Sequence, residues 1–156
     1  LWAVENWQAL VQRLLAETEL APVLTWGSAE EQAVVERIAA VSGGRAVVWP
    51  RGTLPELAAL LAGAAVVVGG DTGPIHIAAA VGTPTVSLYR VTDGERNGPR
   101  GDRHIRLQAP LECSPCLRKH CDRDGECSRS ITAVDVLAAL RTLGLAAAAD
   151  QGQAKS

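Results

Sequence analysis

The chain has 156 residues, 47% of them hydrophobic, 21% charged and only 3% aromatic, and its formal net charge is -2. This balance excludes a disordered chain and a membrane-spanning bundle, and it argues against broad nucleic-acid binding, which leaves a basic footprint over a whole domain. The length suits one domain, whose core must be built mainly from Ala, Val and Leu.

In chain order, Trp7, Leu10, Val11, Leu14 and Leu15 recur at helical spacing across "NWQALVQRLLAE" and predict a first helix. The apolar run "APVLTW" predicts a strand, closed by Gly27 and Ser28. Ser28 and Glu31 have the capping-box spacing, and a helix over about 29–40 follows. "RAVVWP" predicts a second strand; Thr53 and Glu56 then open the helix "LPELAALLA" by the same spacing, with Pro55 in its first turn. "AAVVVG" is a third strand, "PIHIAAAV" a short helix and "TPTVSLY" a fourth strand. Between Arg90 and Ser130 only "RHIRLQA" has the pattern of a strand; so long a connection is more often functional than idle. Thr132 with Asp135 opens a last helix, "AVDVLAALRTLG", which Gly144 stops. The alternation of helices and β-branched strands gives an α/β fold, a Rossmann-like parallel sheet flanked by helices. The domain is expected over 1–145, with a cysteine-containing loop over 107–130 and a disordered tail over 146–156.

No stretch approaches the roughly 18 apolar residues of a membrane span, and the amino end lacks a signal-peptide pattern, so a cytoplasmic location is expected. The chain contains no methionine, which reads as a fragment of a longer protein.

Ligands of open parallel sheets sit beyond the carboxyl ends of strands, where the loops lead into helices. "GGDTGP", residues 69–74, is such a loop. Gly69 and Gly70 permit tight turns, Gly73 lets the backbone approach a ligand, and Pro74 suits a helix start. The first amides of the helix, the Thr72 hydroxyl and His76 could together hold an anion such as a diphosphate. Asp71 and Thr72 could equally be helix-cap residues, and His76 a structural histidine. Arg90, Arg96, Arg100, Arg103 and Arg106 lie close in sequence and could meet phosphate or form a solvated loop.

"DTGPIHIAAAVGTPTVSLYRVTD" followed by "RNGPRG", with "LTWGSAEE" some way upstream, closely resembles the carboxyl-terminal half of the heptosyltransferases, glycosyltransferase family 9. The resemblance runs from about Trp2 to Leu140. It implies one half of a GT-B architecture, two Rossmann-like domains facing across a cleft, and transfer of heptose from ADP-heptose to the lipopolysaccharide inner core. This half would bind the donor, placing Asp71, Thr72, Gly73 and His76 around the diphosphate and sugar. Glu31 would bond the ribose hydroxyls; it is also the glutamate of the capping box, and a carboxylate can serve both. Thr92 and Asp93 match the family's Thr-Asp-Pro turn beside the phosphates.

The chain departs from the family where Gly-Pro-Thr-Asp-Pro becomes Arg90 to Gly94; Arg90 would add a phosphate contact or obstruct the donor. The resemblance implies an inverting, metal-independent displacement with no cofactor, whose catalytic base belongs to the amino-terminal acceptor domain. That domain, and a basic residue just ahead of Leu1, are expected outside this chain. No catalytic residue is therefore assigned here; the chain alone should bind and not turn over. The acceptor would be reached through the missing domain, with peripheral contact at the inner face of the inner membrane.

Cys113, Cys116, Cys121 and Cys127 are close enough in sequence for a structural zinc or iron-sulfur site, and the alternative is a local staple for the long loop. A rival to the transferase reading is an adaptor domain whose business is this cluster; another is a related glycosyltransferase that takes a different nucleotide sugar.

Overall fold

The computed structural model describes residues 2–118 and 121–146. Seven helices and five strands alternate among these residues: α1 (Val4–Glu17), β1 (Val23–Leu24), α2 (Ala29–Ala40), β2 (Val47–Val48), α3 (Leu54–Gly63), β3 (Val67–Gly70), α4 (Gly73–Ala80), β4 (Thr85–Tyr89), α5 (Gly94–Asn97), β5 (His104–Gln108), α6 (Asp124–Ser130) and α7 (Ala133–Thr142). The α/β class expected from the alternation is the one observed. The capping boxes at Thr53/Glu56 and Thr132/Asp135 are both formed, which satisfies amides at the starts of α3 and α7. Gly144 adopts φ +73° just beyond α7, the left-handed geometry that ends a helix and favours glycine.

All strand pairs are parallel, but the hydrogen-bonded ladders form two groups, β1-β2 and β3-β4-β5, rather than one continuous sheet. β1 and β2 have only two paired residues each, and Val23 and Val47, which face each other in register, are both exposed. β4 is the central strand of the larger group, and every one of its residues is buried. Its residues alternate between faces, as the pleat requires. Val86 and Leu88 join a core with Leu137 and Leu140 of α7 and Leu10 and Leu14 of α1. The buried hydroxyls of the intervening residues are bonded within the ladder: Thr85 Oγ1 lies 3.0 Å from His104 Nδ1, and Ser87 Oγ donates to Ile105 O at 3.3 Å. α4 packs on β3 and β4 beside α3, while α7 packs on β4 and β5 beside α1.

The core is less purely aliphatic than composition suggests. Trp2 is buried in it and donates its indole N–H to Ile131 O at 2.7 Å; its ring meets Trp7 edge-on at 4.6 Å. Tyr89 is fully buried at the end of β4. The Trp2 bond ties the start of the chain to the segment before α7, which a core of Ala, Val and Leu alone cannot do by hydrogen bonding.

Two short helices in the connection after β4 were not visible in the sequence. α5 has four residues and α6 seven, too few for an apolar period to show. The loop expected over 107–130 therefore ends at α6. The tail expected to be disordered over 146–156 lies, apart from Ala146, outside the described residues.

Candidate functional site at the start of α4

β3 delivers the chain to Gly69 and Gly70, and α4 begins three residues later at Gly73. The backbone is held close here by packing: a Cβ on Gly69 would stand 3.2 Å from Ile75 Cγ1, and Ile75 is fully buried on α4. Gly73 is different. A Cβ added there would meet nothing within 4 Å, so the protein's own packing does not demand a glycine. The exposed start of α4 is open to solvent at this residue.

The two cap readings of this loop are not what the structure shows. Thr72 occupies the N-cap position of α4 but makes no side-chain bond to the helix; its hydroxyl reaches back to Gly70 O at 3.4 Å. Asp71 does not cap either. One carboxylate oxygen lies 3.2 Å from His76 Nε2, the other accepts from Asn97 Nδ2 at 3.2 Å, and the Thr92 hydroxyl is near enough to favour the carboxylate's charge. Burial disfavours its charge, but the bonds from Thr92, Asn97 and His76, together with the His76 charge, outweigh burial and hold the Asp71 carboxyl below its ordinary range.

A group with a depressed folded pKa stabilises the fold above its unfolded value, about 4 for aspartate, and loses that contribution as pH falls through the folded value. Between about pH 5 and 3 the stability difference between the wild type and Asp71→Asn should therefore shrink as pH falls. Urea unfolding of both proteins across that range measures it, and a difference that grew on acidification would contradict the assignment.

Thr92 is brought to Asp71 by the loop after β4, and Asn97 by α5. Asp93 caps α5, accepting from Glu95 N at 2.9 Å and Arg96 N at 3.4 Å. Two glycines let α5 lie close to the sheet: a Cβ on Gly94 would stand 2.7 Å from Tyr89 Cδ2, and one on Gly98 would overlap the Arg106 side chain. Arg106 then clamps the helix, pairing with Glu95 at 3.1 Å and donating to Pro99 O at 2.7 Å. Gln108 of β5 fixes the same loop from below, accepting from Gly94 N at 3.0 Å and donating to Thr92 O at 3.1 Å. Sequence reading missed Asn97 and Gln108. The only available signal for Asn97 was its place in "RNGPRG", and Gln108 is one polar residue in an alternating strand.

Glu31 is not joined to this group among the described residues. It stands in the first turn of α2, where its backbone N–H donates to Ser28 Oγ at 3.2 Å and its Oε2 accepts from Gly27 N at 2.7 Å. The capping-box carboxylate thus bonds the residue ahead of the cap rather than the cap itself. The arginines do not converge either. Arg90 turns to an ion pair with Asp124 and Arg106 to Glu95, whereas Arg96, Arg100 and Arg103 are exposed. The Arg90 side chain is mostly buried, and its ion pair with Asp124 turns it toward α6.

Residues 1–125 match the family model described as glycosyltransferase family 9 (heptosyltransferase). The chain is 38% identical over 120 residues to lipopolysaccharide heptosyltransferase 1 of Pseudomonas aeruginosa, an alignment covering 77% of this chain and 33% of the relative. Among solved structures it is similar to Escherichia coli heptosyltransferase WaaC with ADP, at a TM-score of 0.74 and 28% identity, covering 90% of this chain and 39% of that one. The same enzyme with ADP-2-deoxy-2-fluoro heptose gives a TM-score of 0.71, covering 90% of this chain and 38% of that one. The chain thus spans about a third of the length of the curated relatives it matches. With that match running through the whole of the Asp71 loop and the loop after β4, the chain belongs to glycosyltransferase family 9, the heptosyltransferases.

Proposed function

We propose that this chain is the donor-binding half of a heptosyltransferase of lipopolysaccharide core synthesis, and that it holds ADP-heptose by its diphosphate at the start of α4. The observation that carries the reading is the meeting of Asp71, His76, Thr92 and Asn97 at an open helix start, beyond the carboxyl ends of β3 and β4. The similar solved enzyme is seen with an ADP-heptose analogue, which supports a nucleotide-sugar donor. Transfer to the lipopolysaccharide acceptor, and the base that would activate the acceptor hydroxyl, are proposed for the remainder of a longer protein. Work at the inner face of the cytoplasmic membrane belongs to the same proposal; among the described residues no helix is long and apolar enough to cross a membrane.

In this reading Asp71 is not a phosphate ligand, because two anions in contact repel. It positions the donors: its carboxylate orients His76 and ties down the Thr92 loop, leaving the other face of the imidazole and the start of α4 toward the diphosphate. Amides there favour an anion, and the same contacts strengthen as charge builds on the departing ADP. Glu31, at the start of α2, would take the ribose hydroxyls with its second carboxylate oxygen. The displacement would be inverting, with no group in this half acting as base, so the chain by itself would bind donor without turnover.

Gly73 provides the test, since the fold does not need it. Gly73→Ala should leave stability unchanged or raise it by up to about 1 kcal/mol, because alanine is the better helix former. Its methyl group should nevertheless weaken ADP and ADP-heptose binding in titration calorimetry by roughly tenfold or more, the cost of displacing a phosphate from close backbone contact. Equal affinity in the two proteins, or no binding of either nucleotide to the wild type, would remove the diphosphate from this loop.

A further inference from the structure

The connection between β5 and α7 holds a second constellation, apart from the Asp71 group. Cys113, Cys116, Cys121 and Cys127 are all free thiols, and all four line one small cavity together with Arg90 and Arg123. Its free volume is about 10 Å³, the space of a single small ion or water.

We propose that these four cysteines form a structural zinc site with four thiolate ligands. The spacing, two, four and five residues between successive cysteines, permits one ion to be reached by all of them. Zinc with four thiolates is a dianion, and the guanidinium groups of Arg90 and Arg123 line the cavity as N–H donors, each with its charge already paired to a carboxylate. Arg90 is held there by Asp124 and Arg123 by Glu126, at 2.7 Å, so both are oriented before any metal arrives.

Among the described residues no three ligand side chains already stand in a metal-binding cluster, so occupation draws the sulfurs together. Each thiol releases its proton to solvent as its sulfur bonds the ion; no electron is transferred and no oxidant is required. The loop is prepared for this closure at both ends. Cys116 N and Leu117 N donate to Val91 O at 3.1 and 2.9 Å, Ser114 Oγ donates to Arg90 O at 2.6 Å, and Cys127 is buried on α6. The ion would thus fasten the cysteine loop to the segment that carries Thr92, in a region with little apolar core of its own.

The test uses the full chain, purified under reducing conditions without chelator. Elemental analysis should find about one zinc per chain, and a chelator strong enough to strip it should lower the melting temperature. Cobalt(II) added to the stripped protein should give sulfur-to-metal charge-transfer bands and the visible absorption of a tetrahedral ion. Cys116→Ser should lose the bound zinc and its chelator-sensitive stability. The cobalt spectrum of the wild type decides the matter even if that variant fails to fold. Zinc content near zero after incubation with zinc, a spectrum without sulfur ligation, iron with sulfide in place of zinc, or disulfides in the reduced preparation would each overturn the proposal.

Discussion

Asp71→Ala should lower the affinity for ADP-heptose by roughly 10- to 100-fold, the effect of removing hydrogen bonds to a charged group worth about 1.5–3 kcal/mol. The carboxylate gathers three partners from three elements: His76 in α4, Thr92 in the loop after β4 and Asn97 in α5. Truncation releases all three, so the imidazole loses its orientation and the Thr92 loop its tie to the start of α4. The paired control is Asp71→Asn, which keeps the shape and removes the charge. If the residue positions its neighbours, the asparagine variant should recover part of the affinity, because an amide can still accept from Asn97 and Thr92. Were the negative charge merely tolerated beside the diphosphate, the asparagine variant would bind more tightly than the wild type, and the positioning role would fall. Titration calorimetry on the three proteins separates these results, and circular dichroism confirms that each is folded.

Ile75→Ala should destabilise the domain by about 2–5 kcal/mol and weaken donor binding as well. Ile75 is fully buried at the start of α4, pressed over the glycine turn at the end of β3. Removing three carbons there leaves a cavity beneath the turn that aims Asp71, Thr72 and Gly73. A loss of this size is a large part of the 5–15 kcal/mol that typically holds a domain together. Leu140→Ala is the comparison, because Leu140 is equally buried but lies in the α7 core on the other side of β4. The two variants should lose similar stability in urea unfolding, yet only Ile75→Ala should change the affinity for ADP-heptose in the fraction that remains folded. Equal binding losses would mean that the site depends on global stability and not on the seating of α4.

The cap chemistry and the glycine loop differ in how far local sequence could describe them. Thr53/Glu56 and Thr132/Asp135 formed the boxes that their spacing predicts, because both partners lie within one helical turn. Asp71 and Thr72 have the same residue chemistry at a helix start and do not cap. Thr72 turns back to Gly70 O, while Asp71 meets His76 of its own helix and Thr92 and Asn97, 21 and 26 positions further on, brought there by the parallel register of β3 and β4. Arg90 shows the same limit, since its ion-pair partner is 34 residues away.

Legible in the sequence alone are therefore the α/β alternation, the order of the longer elements, the capped starts of α3 and α7 and the strand-to-helix loop at 69–74, together with the family to which they belong. Each is a local property, set by the side-chain period of helix or strand and by residues within one turn of each other. Only the tertiary structure decided that Asp71 faces Thr92 and Asn97, that Gln108 props the Thr92 loop, and that four cysteines share one cavity with Arg90. Those contacts follow from sheet register and from the close approach that Gly94 and Gly98 allow α5, and no period along the chain records which distant residues packing will bring together.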